Sequence, residues 1–220
     1  LAELLRRIAK IDKLHWIRVL YSYPNTIDEE LVDTMVADPK IVNYIDIPIQ
    51  HIDPDMLKAM NRHGSAEHIR EITDYIRRTA PDFILRTTVI TGFPGETEAE
   101  FEESLAFIQK CAFADMHIFP YSRRPGTPAD TMPGQLGNAV KEDRSRRAIA
   151  VAQQMSISYR ESLIGTVQAV LFEEQVLSFY TGHAPNYVRV YAAGEELHNV
   201  VKNVKITGLY EDGVFGLIEA

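Results

Sequence analysis

The sequence predicts an α/β chain in two parts: a partial parallel sheet or barrel, followed by a small, closed, OB-like all-β barrel. Three observations indicate this. Strand-like and helix-like segments alternate over residues 1–122, as in parallel α/β folds. A β-branched run over residues 86–91 enters a Gly-Phe-Pro-Gly-Glu turn and then a helical pattern. After residue 163, apolar residues recur at every second position between glycine turns.

The first part is predicted to contain four strands, each separated from the next by at least one helix. Strands are expected at 16–21, 43–49, 83–90 and 115–120, and helices at 1–13, 29–37, 54–61, 66–78 and 98–110. Helix caps are expected from Thr26 or Asp28, from Asp53 and from Ser65. Right-handed crossovers would bring all four strand ends to one edge.

A change of texture separates the two parts. Residues 123–137 are rich in proline and glycine and predict a loop, whereas residues 138–162 predict one long, charged helix. Four basic residues of this helix form either an ordinary solvated face or a basic stripe for a phosphate backbone: Lys141, Arg144, Arg146 and Arg147. The predicted domains are therefore 1–137, a connecting helix 138–162, and 163–220.

The second part is predicted to be an acidic barrel. Strands are expected at 167–172, 188–191, 199–206 and 214–218, with turns at Gly182, Gly194, Gly208 and Asp212-Gly213. Residues 163–220 contain seven Asp or Glu against three Lys or Arg, which gives 3 − 7 = −4. Charge alone therefore does not favour RNA binding here, although Tyr180, His183 and Tyr187 offer stacking surfaces.

Composition narrows the class of protein. The net charge of −8 argues against binding nucleic acid through bulk electrostatics. No apolar run reaches membrane-spanning length and no signal-peptide pattern opens the chain, so the cytoplasm is the expected location. A lone Cys111 excludes an internal disulfide and a cysteine-only metal site, and it is expected to be a small buried residue. The start at Leu1, inside a helical pattern, suggests a piece of a longer protein.

Polar residues at the strand ends suggest a binding site. Gln50-His51 ends one predicted strand, Tyr121-Ser122 ends another, and Arg86 begins the strand that enters the glycine turn. Such groups at one edge of a parallel sheet are typical of a small anionic or zwitterionic ligand site. A strand, a glycine turn and a capped helix also describe an ordinary βα connection, and a single histidine such as His51 is more often structural.

Five motifs, in this order, resemble those of the radical S-adenosylmethionine methylthiotransferases. They are 44-YIDIPIQH-51, 60-MNR-62, 86-RTT-88, 92-GFPGET-97 and 121-YSRRPGT-127. The resemblance covers essentially the whole chain. It implies the C-terminal part of a radical SAM (βα) barrel followed by a TRAM barrel.

Two branches of this family are resembled by different stretches. The segments 16-WIRVLYSYP-24 and 45-IDIPIQHI-52 are similar to the RimO branch, which modifies an aspartate of a small-subunit ribosomal protein. The segments 112-AFADMHIFPYS-122 and 181-TGHAPNYVRVY-191 are similar to the MtaB branch, which acts on threonylcarbamoyl-adenosine beside a tRNA anticodon. The similarity changes from the first branch to the second near the Gly92 turn, which both branches share. Two explanations therefore stay open: a hybrid gene, or two sequences joined during sequence assembly.

The resemblance implies S-adenosylmethionine as a cofactor. Arg86 would bind its carboxylate, Gly92 and Gly95 would allow close backbone approach, and Glu96 would accept from a ribose hydroxyl or cap a helix. The remaining residues expected to bind the cofactor are Gln50, Thr88, Tyr121 and Ser122. Those expected to bind the substrate are Arg123, Arg124, Tyr187 and Arg189.

The family's [4Fe-4S] clusters need cysteines that this sequence lacks, so no metal ligand is predicted and no radical chemistry is expected from this chain alone. Three functions remain open. The first is part of a tRNA methylthiotransferase of the MtaB type. The second is part of a RimO-type enzyme acting on a ribosomal protein, and the third is a non-catalytic module that binds RNA or protein.

Overall fold

A computed structural model describes residues 1–62 and 66–219. It contains two compact units, Leu1–Met155 and Ser156–Ala220, each of which is described by itself. The cap predicted at Ser65 lies outside the described residues, and the predicted domain bounds stay a prediction. Among the described residues, no helix combines the length and the hydropathy needed to cross a membrane.

The first unit alternates strands and helices, as predicted. Its strands are β1 (Ile17–Val19), β2 (Ile41–Gln50), β3 (Ile84–Thr91) and β4 (Asp115–Pro120). Its helices are α1 (Ala2–Ile8), α2 (Glu29–Ala37), α3 (Pro54–Ala59), α4 (Ala66–Thr79), α5 (Glu98–Cys111) and the start of α6 (Asn138–Ser162). Single 3₁₀ turns occur at Pro24–Thr26 and Pro128–Thr131.

The four strands form one parallel sheet in the order β1-β2-β3-β4. Side chains alternate between the two faces of a strand. On β3, the buried residues Leu85, Thr87 and Val89 face the helices, and Leu85 and Val89 join one core with apolar residues of α1, α2, α4 and α5. Arg86 and Thr88 lie between these positions and point to the opposite face, which we call the open face. This arrangement confirms the predicted parallel α/β architecture.

Local capping explains where three of the helices begin. The Asp28 carboxylate accepts from the backbone N–H of Leu31 at 2.8 Å, so Asp28 and not Thr26 caps α2. Asp53 caps α3 in the same way. Thr97 and Glu100 form a reciprocal capping box at the start of α5. The cap of α5 therefore ends the Gly-Phe-Pro-Gly-Glu turn at a defined residue.

Helix α1 and strand β1 are shorter than predicted. Helix α1 ends at Ile8 rather than at residue 13, and its buried face is made by Ala2 and Leu5. Leu4 of the predicted apolar stripe is 54% exposed. The helix therefore buries a face that includes the small residue Ala2, which the positions of leucine and isoleucine alone do not predict.

The second unit is the closed barrel that the sequence predicts. Its strands are β5 (Val167–Val176), β6 (Phe179–His183), β7 (Arg189–Ala192), β8 (Val200–Tyr210) and β9 (Gly213–Ile218), in the order β5-β6-β7-β9-β8. Strand β6 was not predicted, because Gly182 was interpreted as a turn. Gly182 instead lies inside β6, where a Cβ would stand 1.9 Å from the Leu171 carbonyl oxygen. A glycine in a strand often marks such a close approach of two backbones.

Candidate functional site

The carboxyl edge of the parallel sheet collects the polar residues predicted there. Gln50 is the last residue of β2, in a left-handed conformation with φ of 66°, and is paired with Val89 of β3. Tyr121 directly follows β4, and its backbone N–H donates to the carbonyl of Thr91 at 2.8 Å. The structure therefore brings Gln50 and Tyr121 to the ends of strands that flank β3. Ser122, the next residue, is exposed.

Three hydroxyl groups in segments that end or follow strands of the sheet are buried without a hydrogen-bond partner among the described residues. They belong to Ser22, which follows β1, to Thr91, which ends β3, and to Tyr121. Buried polar groups are nearly always hydrogen-bonded in folded proteins, and leaving one unsatisfied costs about 1–3 kcal/mol. Such groups at the carboxyl ends of parallel strands are typical of a site that binds a polar ligand.

The glycine turn closes the carboxyl end of β3 and is held by the chain that follows β4. Gly92 has a φ of +73°, and a Cβ there would lie 2.4 Å from Cγ of Lys141 in α6. Gly95 has a φ of +86°, and its N–H donates to the Gly134 carbonyl at 2.9 Å. Both glycines are thus required by the local backbone. The space beside Gly92 is filled by a side chain of α6.

Glu96 is buried, and its carboxylate has three partners. Oε2 accepts from the Gly92 N–H and from Nη1 of Arg144, both at 2.6 Å. Oε1 lies 3.2 Å from Nε2 of His51. Because His51 Nδ1 accepts from the Asp53 N–H at 2.9 Å, its Nε2 carries the hydrogen and donates to Glu96. These contacts tie Glu96 and His51 to neighbouring parts of the fold, and the acceptance of a ribose hydroxyl by Glu96 stays a prediction.

Arg86 lies on the open face in a second polar cluster. Its Nε donates to Asp115 Oδ2 at 2.9 Å, its Nη1 lies 3.6 Å from Asp46 Oδ2, and its Nη2 contacts His117 Nε2. Thr88 lies beside it, paired with His117 in the sheet register. We call Tyr44, Asp46, Arg86, Asp115 and His117 the open-face cluster.

Burial dominates the electrostatics of this cluster. Asp46 is 0% exposed, and neither carboxylate oxygen has a hydrogen-bond partner among the described residues. Burial raises the pKa of Asp46, and the nearby Arg86 only partly opposes this. Burial also raises the pKa of Tyr44 to about 12. For Arg86 the loss of solvent is the largest single effect and lowers the pKa, but the charges of Asp115, Tyr44 and Asp46 and the hydrogen bond to Asp115 together outweigh it, so the pKa rises. Arg86 therefore stays fully charged.

The structure separates Arg86 from the carboxyl edge. Arg86 is five residues before Thr91 along β3, which corresponds to roughly 16 Å in a strand. The expectation that Arg86 shares one strand end with Gln50 and Tyr121 is therefore wrong: Arg86 begins the strand, whereas the other two residues end theirs. A ligand bound by all three would have to extend along the open face.

The residues predicted to contact a substrate are surface residues. Arg123 is exposed, and its guanidinium binds both the carboxylate and the backbone carbonyl of Asp130. Arg124 is exposed in the same loop. In the barrel unit, Tyr187 is 39% exposed and its ring lies 5.0 Å from that of His183. Arg189 is 3.2 Å from Asp212 and 3.8 Å from Glu174. The charge of Arg189 is thus already compensated.

The basic residues of α6 do not form a free stripe. Arg144 is 5% exposed and binds Glu96 and Glu98, while Arg147 binds Glu98, Glu102 and Asp143. The bond from Arg147 is the main cause of a lowered pKa at Glu98. The interpretation of α6 as a stripe for a phosphate backbone is therefore wrong for Arg144 and Arg147.

Cys111 is buried and free, as expected. It ends α5, and its Sγ lies 3.7 Å from the Thr73 hydroxyl. Burial raises the pKa of the thiol, which makes the reactive thiolate less available. Within residues 1–62 and 66–219, no group of three or more His, Cys, Asp or Glu side chains is placed to hold a metal ion.

Sequence reasoning missed Asp46, His117 and Arg144. Two signals could have found them. A carboxylate between isoleucines on a buried strand, as at Asp46, is costly unless it has a role. On α6, Arg144 precedes Ala148 and Ala152 at intervals of four, and all three are buried on one face. The sequence alone does not decide which face of β4 carries His117.

Known proteins resemble this chain in sequence and in fold. Residues 1–108 match the family model described as the Radical SAM superfamily. The solved structure of coproporphyrinogen III oxidase (HemN) from Escherichia coli matches this chain with a TM-score of 0.57 and 15% sequence identity. The matched region covers 84% of this chain and 51% of the HemN chain. This last likeness concerns the fold alone.

Curated relatives are more similar in sequence. A protein of Heliobacterium modesticaldum named ribosomal protein uS12 methylthiotransferase RimO is 41% identical over 80% of this chain and 38% of its own length. Proteins of the same name from Carboxydothermus hydrogenoformans and Clostridioides difficile are 38% and 41% identical over 92% and 91% of the chain. The chain spans about two fifths of the length of these relatives. The chain belongs to the radical SAM methylthiotransferase family.

Proposed function

We propose that this chain is part of a methylthiotransferase that modifies ribosomal protein uS12. The observation that carries the proposal is the 38–41% identity, over most of the chain, to relatives named for that activity. This substrate is the alternative that the sequence analysis placed second. The comparisons favour it over tRNA, which was placed first. A ribosomal-protein substrate also fits a cytoplasmic enzyme.

The charge of the barrel unit supports a protein substrate. Residues 163–220 include seven acidic and three basic residues. One of the basic residues, Arg189, is paired with two of the acids. A polyanionic tRNA would be repelled by such a surface, whereas a basic ribosomal protein would be attracted. Electrostatic complementarity mainly sets association rate and partner choice, which is the discrimination needed here.

The residues at the carboxyl edge fit S-adenosylmethionine as the cofactor. Among the described residues, the unpartnered hydroxyls of Thr91 and Tyr121 provide buried donors and acceptors for a polar nucleoside. Gln50 and Ser122 border the same edge, and the backbone of the Gly92 turn closes it. When bound, this cofactor supplies the radical and methyl-donor chemistry of the family. The chain's own residues bind it, orient it and exclude water.

On the open face, the cluster around Arg86 would bind the charged end of a ligand. Arg86 keeps a planar, permanently charged fork between Asp46 and Asp115. Thr88 adds a hydroxyl on the same face. We propose that these residues orient the cofactor's amino-acid part or the substrate carboxylate, which would take the place of one of the acids now paired with Arg86.

The residues of this chain do not fit an iron–sulfur cluster. Cys111 is the single cysteine of the sequence and is buried at the end of α5 against Thr73. Clusters of this kind are held by several cysteine thiolates. The cluster ligands that the family needs are therefore absent from this sequence, and we assign this chain no step at a cluster.

Mass spectrometry of a strain that lacks the full-length gene tests the substrate. We expect uS12 to lose its methylthio group, while the methylthiolated nucleosides of tRNA stay at the wild-type level. Loss of a tRNA modification with intact uS12 would support the MtaB-type alternative instead. If both modifications persist, the third alternative, a non-catalytic binding module, gains support. Complementation with the wild-type gene is the control.

A further inference from the structure

The start of helix α6 packs on the turn that closes β3. The Lys141 side chain lies across Gly92, so that a Cβ at this glycine would meet Cγ at 2.4 Å and Cβ at 3.1 Å. The ammonium group of Lys141 lies 5.8 Å from the centre of the Tyr121 ring. Tyr121 in turn packs edge-on against Phe93, the next residue of the turn. One lysine of α6 therefore covers both the turn and the end of β4.

One helical turn later, Arg144 binds the other end of the same turn. Its Nη1 donates to the Glu96 carboxylate at 2.6 Å and to the Glu96 carbonyl at 2.9 Å. Its Nε donates to Glu98 at 3.2 Å. The Glu96 carboxylate accepts from the Gly92 N–H, which closes the turn on itself. The side chains of Arg144 and Glu96 are 6% and 1% exposed, so this pair is buried.

We propose that Lys141 and Arg144 are positioning residues that hold the Gly92–Glu96 turn in its binding shape. In this proposal, Gly92 is a glycine because its φ is +73° and because the lysine stem packs on it, and Glu96 is an acid because it links Arg144 to the Gly92 N–H. Neither residue has to touch the cofactor, in contrast to the roles that the family resemblance implies for them. The inference rests on the proposed function only in taking this turn as part of the cofactor site.

The bonding of Glu96 supports this division of roles. A carboxylate offers about four lone-pair positions, and three are already used by Gly92, Arg144 and His51. Arg144 is likewise engaged by Glu96 and Glu98, with its face over the Phe101 ring at 5.6 Å. Groups so fully engaged orient their neighbours and are poorly placed to bind a ligand.

The first experiment compares Gly92→Ala with the double variant Gly92→Ala/Lys141→Ala in the full-length protein. The strain of a φ of +73° is the same in both variants, so it cancels in the comparison. If the lysine stem imposes the glycine, the double variant binds S-adenosylmethionine about tenfold more tightly than the single one. Equal affinities of the two variants would overturn the proposal for Lys141. Lys141→Ala alone is the reference.

The second experiment compares Arg144→Gln with Arg146→Gln. Arg146 carries the same substitution on the same helix, but its side chain is 77% exposed and its ion pair is with Asp143, one helical turn earlier. Hydrogen–deuterium exchange at the Gly92 amide should become about tenfold or more faster in Arg144→Gln, because its acceptor is no longer fixed. Slow amides of β2 exchange through unfolding of the unit, so their rates should rise only with the general loss of stability, whereas the Gly92 amide should exchange faster even where the unit stays folded. Arg146→Gln should match the wild type.

Affinity for S-adenosylmethionine provides a readout that general destabilisation does not move when measured well below the melting temperature. We expect about tenfold weaker binding by Arg144→Gln and partial recovery in Arg144→Lys, which keeps the charge. Unchanged exchange and affinity in Arg144→Gln would overturn the proposal for Arg144. A wild-type protein that does not bind S-adenosylmethionine would instead overturn the proposed function, while the exchange rates would still decide whether Arg144 holds the turn.

Discussion

Replacing Arg144 by glutamine should strongly destabilise the first unit. The substitution leaves the Glu96 carboxylate, 1% exposed, without its main cationic partner. Breaking one partner of a buried ion pair typically costs about 3–5 kcal/mol. His51 and the Gly92 N–H still face Glu96, which places the expected loss at about 3 kcal/mol, the low end of that range.

Urea denaturation followed by tryptophan fluorescence measures this loss. Trp16 is the single tryptophan and lies in the first unit, so its signal reports on the unit that contains Arg144. With an m value of about 2 kcal/mol/M, a loss of 3 kcal/mol lowers the urea midpoint by about 1.5 M. Arg146→Gln, which removes an exposed charge, should change stability by less than about 1 kcal/mol.

A double variant tests the cause. Arg144→Gln/Glu96→Gln removes both charges, so it should be more stable than the sum of the two single losses predicts. A midpoint for Arg144→Gln within about 0.3 M of the wild type would refute the reasoning, since it would mean that the pair contributes no more than a surface ion pair. Full additivity in the double variant would refute the coupling between the two residues.

Three further predictions concern single residues. Asp46→Asn should stabilise the first unit at pH 7 by about 1–3 kcal/mol, because burial penalises the Asp46 carboxylate more than its ion pair with Arg86 compensates. Because the pKa of Asp46 is raised in the folded state, the wild type loses stability as the pH rises through that pKa. The gain in stability from Asp46→Asn should therefore be smaller in urea midpoints measured at lower pH, and a gain that does not change with pH would contradict this reasoning. Thr97→Ala should remove the capping box of α5 and lower the free energy of unfolding by about 1 kcal/mol. In calorimetry this corresponds to a melting temperature about 2–4 °C lower, and an unchanged melting temperature would show that the cap is dispensable. Phe172→Ala should cost the barrel about 3–5 kcal/mol in tyrosine-detected unfolding, because Phe172 is 0% exposed, and a loss below 1 kcal/mol would show a poorly packed barrel.

Much of the architecture could be predicted because it depends on local patterns. Strand β4 and helices α2 and α6 have the predicted bounds, since a short strand that ends at a proline and a continuous helical pattern leave few alternatives. Strand β6 was missed because Gly182 was taken for a turn. The physical reason for this glycine is a contact between strands, since a Cβ at Gly182 would stand 1.9 Å from the Leu171 carbonyl oxygen. The predicted end of α1 was wrong because the buried face depends on what the helix packs against.

The candidate site divides in the same way. Residues that follow strand ends, such as Gln50 and Tyr121, are found from the sequence because topology alone brings parallel strand ends together. The open-face cluster depends on register, since Asp46 and Asp115 reach Arg86 only because they are paired with it in adjacent strands. Register cannot be deduced from one strand at a time.

By itself, the sequence determined the order of strands and helices in the first unit, the acidic barrel and the family, because these depend on composition, periodicity and motifs within single segments. Only the tertiary structure decided that Glu96 binds Arg144, 48 positions later in the chain, and that Lys141 covers Gly92. The physical reason is that a charged residue has the same local pattern whether it faces water or a buried partner. The partner is supplied by packing between distant segments, and that packing exists only in the folded chain.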